Sequence, residues 1–150
     1  MRLAIQTMRK AGVIEQTGGP FGAVIVMNGV IVATAGNRVL SDHDPTAHAE
    51  ISAIRAACRR LGTHDLSGAV LYSSCECCPM CYSAAYWARI SRVYYAAAWT
   101  DYADLFDDAA LDLDIRKPNT ERALTPRQLL RDEAMAVWAE FRQLPDGARY

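Results

Sequence analysis

Apolar residues recur along the chain at two spacings, one typical of helices and one typical of strands. Between positions 3 and 14 they recur near helical spacing, and a glycine pair at 18–19 ends the pattern, which predicts a first helix. Two short β-branched runs follow at 21–27 and 30–35. They are separated by Asn28-Gly29, the preferred pair for a tight hairpin turn. We therefore expect these two runs to pair as antiparallel strands.

The middle of the chain alternates helical and strand patterns. Ile51, Ile54 and Leu61 mark the apolar face of a second helix, which we predict to begin near Pro45 with Asp44 as its cap. Strands that alternate with helices imply parallel crossovers and an α/β fold whose sheet is covered on both faces. The further predicted elements are a buried strand at 69–74, a helix at 79–91 with proline in its first turn, and a strand at 92–98.

The last third of the chain has a weaker pattern. Residues 99–119 are richer in Asp and less periodic, and we interpret them as a loop or short helix over one edge of the sheet. Thr125-Pro126 fits the start of a capping box, so a final amphipathic helix is predicted from there to Pro145 and Gly147. The chain contains no linker or repeat, and we predict a single domain over residues 1–150.

Composition narrows the classes of function. The 150 residues are 51% hydrophobic and 22% charged, with a net charge of -1 and a pI near 6.3, which are values of an ordinary folded domain. No positive field favours a nucleic acid partner, and no apolar run is long enough to cross a membrane. Without a secretory signal pattern, the cytoplasm is the expected compartment. An odd number of clustered cysteines there indicates metal or redox chemistry rather than disulfides.

Four chemically active side chains fall at the starts of two predicted helices. His48 and Glu50 lie within the first turn or two of the second helix. Cys78 and Cys81 lie at the start of the third, with both sulfurs on one side of a helical turn. Helix starts collect at the carboxyl ends of parallel strands, where their dipoles favour thiolates. Two thiolates and one imidazole suit a zinc with an open position for water, whose proton Glu50 is placed to accept. The pattern predicts hydrolytic deamination.

The motifs His48-Ala49-Glu50 and Cys78-Pro79-Met80-Cys81 resemble those of the zinc-dependent nucleobase and nucleoside deaminases of cytidine deaminase fold. In this chain Cys77 replaces the proline that the signature has before its first cysteine. The resemblance extends over nearly the whole chain to the bacterial guanine deaminase branch. It implies a three-layer α/β/α sandwich with a mixed central sheet.

The resemblance also implies roles for individual residues in the reaction. His48, Cys78 and Cys81 would be the ligands of Zn²⁺, and Glu50 would be the main proton shuttle. Asp108, the second acid of the segment Phe-Asp-Asp, would carry a further proton or contact the amino group. This chain is one residue shorter than that branch just before the segment.

Contacts to the substrate and to a second subunit follow from the same resemblance. Asn37 would contact the base edge, and Phe21 and Trp87 would form walls of the base pocket. The family suggests a homodimer in which the C-terminal segment, about 120–150, is exchanged between subunits. Tyr150 would then close the pocket of the neighbouring subunit.

Guanine converted to xanthine and ammonia is the reaction expected from the resemblance. The same chemistry on guanosine, cytosine, an aminotriazine or another amino-heterocycle stays open, because no motif encodes the loops that set specificity. Deamination of adenosine in tRNA is less favoured for a slightly acidic chain. A catalytically dead partner subunit would need a broken ligand or shuttle, and all four positions are intact.

The remaining cysteines allow a different class of protein. A thiol-disulfide or iron-sulfur protein could be built on Cys75, Cys77, Cys78 and Cys81, but that hypothesis leaves the His-Ala-Glu motif unexplained. Cys58 and Cys75 are expected to pack in the core. Cys77 is expected to be structural or pocket-lining, with redox sensitivity or an altered substrate contact as the alternative.

Overall fold

A mixed four-stranded sheet organises the fold, and the computed structural model describes it within residues 1–148. The strand order is β2-β1-β3-β4, with β1 antiparallel to both β2 and β3, and β3 parallel to β4. The predicted hairpin and the mixed α/β sheet are confirmed. The helices are α1 (Arg2–Arg9), α2 (Val39–Asp42), α3 (Ala49–Leu61), α4 (Pro79–Trp87), α5 (Asp108–Ile115) and α6 (Arg131–Gln143). The strands are β1 (Gly22–Met27), β2 (Val30–Gly36), β3 (Val70–Cys75) and β4 (Arg92–Ala97).

Helices cover both faces of this sheet. Ala23 and Ile25 of β1 and Leu71 of β3 belong to one buried cluster with residues of α3 and α4. Gly22 points the opposite way, because neighbouring residues of a strand alternate between faces, and it lies against the backbone of α1. The fold is therefore an α/β/α sandwich, with α1 on one face and α3 and α4 on the other.

Two of the three helices that were predicted to begin near a proline begin later, whereas α4 begins at Pro79 as predicted. Asp44 does not cap α3; its Oδ1 accepts hydrogen bonds from the Thr46 amide and the Thr46 hydroxyl, both at 2.7 Å. This turn delays the helix, and His48 becomes its N-cap. The last helix likewise begins at Arg131 rather than near Thr125, because Leu130 before it has a left-handed backbone with φ of 51°. The predicted end of that helix, just before Pro145, is correct.

The chain divides into two compact units, Met1–Leu113 and a second that begins at Asp114. In the second unit, the Asp114 carboxylate accepts hydrogen bonds from Lys117 Nζ at 3.0 Å and from the Ala123 amide at 3.1 Å. No residue of α6 is buried, and Val137 and Trp138 are more than half exposed. Within residues 1–148, no helix is long and apolar enough to span a membrane. The single-domain assignment stays a prediction.

The contact between α1 and β1 gives a test of the sandwich. A Cβ added at Gly22 would overlap with the Ala4 carbonyl oxygen and the Met8 amide nitrogen, which are backbone atoms with little freedom to move. We expect Gly22→Ala to lower the free energy of unfolding by about 1–3 kcal/mol. Urea denaturation measures the change.

Gly147→Ala is the matched control, because the atoms nearest to its added Cβ are 3.4 Å away. Its effect should stay within about 0.5 kcal/mol. Equal stability of Gly22→Ala and the unmutated protein would contradict the close packing of α1 on β1.

Candidate active site

Two helix N-caps carry the first two candidate ligands. His48 is the N-cap of α3 and Cys78 the N-cap of α4, and both have an extended backbone with ψ of 155° and 165°. Pro79 follows at the first position of α4, where its missing N–H costs nothing. Neither N-cap side chain makes a capping hydrogen bond to its own helix. Both side chains are therefore available for another partner.

The third candidate ligand completes a compact group of donor atoms. His48 Nδ1 lies 3.6 Å from Cys78 Sγ and 3.5 Å from Cys81 Sγ, and the three ligand atoms all lie within 4.8 Å of one another. A tetrahedral zinc with bonds of about 2.3 Å to sulfur and about 2.0 Å to nitrogen separates these atoms by about 3.5 Å. The group fits zinc by both donor chemistry and spacing.

The charges of the three ligands depend on one another. A hydrogen bond with Cys78 raises the pKa of His48 above its usual value. A hydrogen bond from Cys81, together with the nearby His48, lowers the pKa of Cys78. The positive end of the α4 dipole favours the same thiolate. Zinc binding would displace protons from this group, because the metal takes thiolates and a neutral imidazole.

Glu50 lies directly behind the ligands. It is only 4% exposed, its Oε1 accepts a hydrogen bond from Ser73 Oγ at 2.6 Å, and its Oε2 lies 3.4 Å from Cys81 Sγ. Burial raises the pKa of this carboxyl above its usual value. A raised pKa suits a group that accepts a proton and then gives it up near neutral pH.

A cavity of about 500 Å³ opens in front of these groups. Phe21 forms one wall, with its ring edge-on to Phe106 at a centroid distance of 5.1 Å. The size and the mixed apolar and polar lining are typical of a small-molecule site. The lining residues that bear on the chemistry are Phe21, Asn37, His48, Glu50, Glu76, Cys78, Phe106 and Asp108.

The two acids of the Phe-Asp-Asp segment have separate roles. Asp107 Oδ1 accepts hydrogen bonds from the amides of Ala109 and Ala110 at 3.1 Å and 3.3 Å, so it caps α5. Asp108 lines the cavity instead, and burial raises its pKa. The structure thus brings Asp108 to the same cavity as Glu50.

The structure supports neither Trp87 nor Tyr150 as a substrate contact. Trp87 is 66% exposed on α4 and does not line the cavity that residues 1–148 form. Tyr150 lies outside the described residues. Their roles stay predictions. Phe106 and Glu76 also line the cavity, and neither is among the predicted site residues.

The cysteines outside the ligand group are packed rather than open to the cavity. Cys75 is 2% exposed, Cys77 is 9% exposed, and Cys77 belongs to the main hydrophobic cluster. Burial raises the pKa of Cys77 above its usual value, which leaves the sulfur as an unreactive thiol. Cys58 is half-buried against the same cluster. The burial of Cys77 therefore favours a structural role for this residue over redox sensitivity or a contact with the substrate.

A zinc site that keeps one position open, beside a carboxylate that does not bind the metal, is the arrangement of a hydrolytic zinc enzyme. On this mixed α/β sheet, with the ligands at two helix starts, the class is the zinc-dependent deaminases of cytidine deaminase-like fold. The chain belongs to the family described as the cytidine and deoxycytidylate deaminase zinc-binding region, which matches residues 1–97.

Several relatives of the chain are named as deaminases. Guanine deaminase of Bacillus subtilis is 45% identical over 145 residues, 96% of this chain and 93% of the relative. The crystal structure of that enzyme covers 99% of this chain and 95% of its own, with a TM-score of 0.94 and 43% identity. A guanine deaminase structure from Nitrosomonas europaea covers 91% of this chain and 79% of its own, with a TM-score of 0.65 and 32% identity. A tRNA-specific adenosine deaminase of Agrobacterium fabrum is 48% identical over 97 residues, 65% of this chain and 62% of the relative.

Replacing single cysteines tests which sulfurs bind the metal. We expect Cys81→Ala to lose most of its zinc, because two ligands hold a tetrahedral metal far more weakly than three. Cys77→Ala should keep the zinc, since that sulfur packs in the core. Zinc per chain, measured by atomic emission after gel filtration, separates the two. Equal zinc contents in both variants would contradict the ligand assignment.

Proposed function

We propose that the protein deaminates a free purine base, converting guanine and water to xanthine and ammonia. The observation that carries the proposal is the buried Glu50 carboxylate beside the three zinc ligands at the inner end of a base-sized cavity. The similarity to guanine deaminase over 96% of the chain supports guanine as the base. His48, Cys78 and Cys81 are the proposed ligands.

Bound zinc would lower the pKa of water to about 7 and so supply the nucleophile at neutral pH. Glu50 takes the proton that the water loses and passes it to the nitrogen that leaves as ammonia. The Ser73 hydroxyl orients the carboxylate through Oε1, which leaves Oε2 on the ligand side. Burial of Glu50 favours its protonated form between the two transfers.

The other lining residues would hold the base. Phe21 and Phe106 offer aromatic surface for its ring, and Asn37 offers a polar group to its edge. Asp108 is the proposed second acid, which would carry a further proton or contact the amino group. Its raised pKa, which comes from burial, is compatible with both roles.

Another amino-heterocycle is the second candidate substrate. It is kept because Phe106 and Asp108 follow a loop whose length differs from the guanine deaminase branch. Deamination of a tRNA adenosine has less support. The similarity to the Agrobacterium enzyme covers 65% of this chain, whereas that to guanine deaminase covers 96%.

We also propose a homodimer in which the segment of about 120–150 is exchanged between subunits. Strand β4 is an edge strand whose Tyr94 and Tyr95 are 46% and 50% exposed. The C-terminal unit exposes Leu129 and Trp138 as well. A second copy of the chain would cover both surfaces, because exposed edge strands and apolar helix faces are common association sites.

The exchange would also give Tyr150 and Trp87 a place in the site. Tyr150 of each chain would reach the pocket of the other, and Trp87 would face the assembled pocket. Thiol ligands that must stay reduced suit a reducing compartment, so the cytoplasm is the proposed location.

Turnover is the direct test of the reaction. We expect the zinc-loaded protein to release ammonia from guanine and to form xanthine, with a higher kcat/KM than for guanosine, cytosine, adenine or an aminotriazine. Ammonia release in a coupled assay and xanthine absorbance give the two product measurements. A higher kcat/KM for another amino-heterocycle would make that compound the proposed substrate in place of guanine. If none of these compounds is turned over, the proposed class of reaction is wrong.

Glu50→Gln is the control for the mechanism. The amide keeps the size and the bond to Ser73 but does not accept the proton, so kcat should fall by about 10²–10⁴-fold. The zinc content should not change, because Glu50 is not a ligand. A kcat within tenfold of the unmutated enzyme would show that another group moves the proton.

The dimer is tested on α6. We expect Val137→Asp to shift the protein toward the monomer in light scattering, because it places a charge on the apolar face of the helix. Gln143→Asp, on the polar face of α6, is the matched control and should leave the mass unchanged. A monomeric unmutated protein, or a dimer that survives Val137→Asp, would count against the exchange.

A further inference from the structure

Asn37 follows β2 and is held by the protein through nearly all its polar atoms. Its amide donates to the Phe21 carbonyl at 3.0 Å, and its carbonyl accepts from Thr17 Oγ1 at 2.7 Å. In the side chain, Oδ1 accepts a hydrogen bond from the Val39 amide at 3.1 Å. The residue is 4% exposed. These three bonds fix both its backbone and the direction of its carboxamide.

The bond from Val39 also identifies the two ends of the carboxamide. A backbone N–H needs an acceptor, so the atom that faces Val39 is the oxygen and the other atom is Nδ2. Nδ2 makes no hydrogen bond with residues 1–148. Among the same residues, Tyr102 Oη is the fully buried side-chain polar atom without a hydrogen bond. Nδ2 of Asn37 is therefore not fully buried. Because Asn37 lines the cavity, its NH₂ group is open to the cavity.

Gly18 makes this arrangement possible. A Cβ added at Gly18 would overlap with Asn37 Oδ1 and would lie 2.9 Å from Asn37 Cγ and 3.2 Å from the Val39 amide nitrogen. The side chain at position 18 would therefore occupy the space of the carboxamide oxygen. Any residue larger than glycine must push the carboxamide away from the Val39 amide, and the orientation would be lost.

Thr17 ties its segment to Asn37 and to the turn that follows it. Its hydroxyl donates to the Asn37 carbonyl, and its own carbonyl accepts the amides of Leu40 and Ser41 at 3.0 Å and 3.1 Å. Residues 17–18 thus contact the Asn37 carbonyl and the oxygen of its carboxamide. They leave the NH₂ group without a partner among residues 1–148.

We propose that Thr17 and Gly18 are positioning residues that make Asn37 a hydrogen-bond donor toward the substrate. The site then selects bases whose facing edge carries an acceptor, namely a carbonyl oxygen or an unprotonated ring nitrogen. An edge with an amino group or a protonated ring nitrogen meets two N–H groups and is rejected. This inference rests on the proposed function in taking a base as the ligand.

Binding, rather than turnover, is the readout that tests the inference. The zinc-loaded Glu50→Gln background allows dissociation constants to be measured by calorimetry without product formation. The probes are guanine and three analogues that each lack one acceptor: 2-aminopurine, 7-deazaguanine and 3-deazaguanine. One of the three should bind about tenfold more weakly than guanine, because it leaves the Asn37 donor unpaired.

The variants identify the residues that hold the donor in place. Gly18→Ala and Thr17→Val should each weaken guanine binding about tenfold. Both variants should bind the analogue that lacks the acceptor facing Asn37 nearly as tightly as the Glu50→Gln protein does. The hydrogen bond from Asn37 is already absent from that complex. Thr17→Ser keeps the hydroxyl and should restore guanine binding. Asn37→Asp should bind guanine more weakly still, because its second oxygen presents an acceptor to an acceptor.

Zinc content and the melting temperature show whether each variant is folded. If Gly18→Ala does not fold, the comparison of Thr17→Val with Thr17→Ser tests the inference alone. Guanine affinity unchanged in a folded Gly18→Ala and in Thr17→Val would overturn the inference, as would equal binding of guanine and all three analogues. Failure of the unmutated protein to bind or turn over guanine would instead reject guanine as the base. The same variants would then be compared with the amino-heterocycle that does bind.

Discussion

Zinc requires its three protein ligands at the corners of one tetrahedron, and the positions of two helices meet this requirement. His48 Nδ1 and the sulfurs of Cys78 and Cys81 lie at the spacing of such a site because α3 and α4 begin at the same end of the sheet. The parallel pairing of β3 with β4 requires a crossover, and α4 is that crossover. The ligand geometry is thus a consequence of strand order.

Burial beside the three ligands raises the pKa of the Glu50 carboxyl. Glu50 lies in the first turn of α3 and is covered by Ser73 of β3 and by Cys81 of α4. A surface carboxylate two residues from a ligand would be ionised at neutral pH and would hold no proton. The raised pKa of Glu50 therefore depends on the packing of α3 against both other elements. The proposed metal ligands and the proposed proton carrier are therefore held by the same contacts.

The sequence predicted the elements that carry the ligands more accurately than their ends. Pro45 and Pro126 both look like the first residue of a helix, since proline suits that position. In the structure, Asp44 closes a local turn and Leu130 adopts a left-handed backbone, so both helices begin later. A side chain such as that of Asp44 can hydrogen-bond within a local turn or can cap a helix, and residue preferences do not tell which of the two hydrogen bonds forms.

The sequence by itself predicted the metal ligands, the proton carrier and the fold class, because these predictions depend on residue types at short spacings and on alternating patterns. It identified the glycine pair at 18–19 only as the end of a helix. The tertiary structure decided that Gly18 lies against Asn37, that Phe106 faces Phe21, and that Cys77 packs in the core. These are contacts between segments distant in sequence, and they arise only when the sheet brings those segments together.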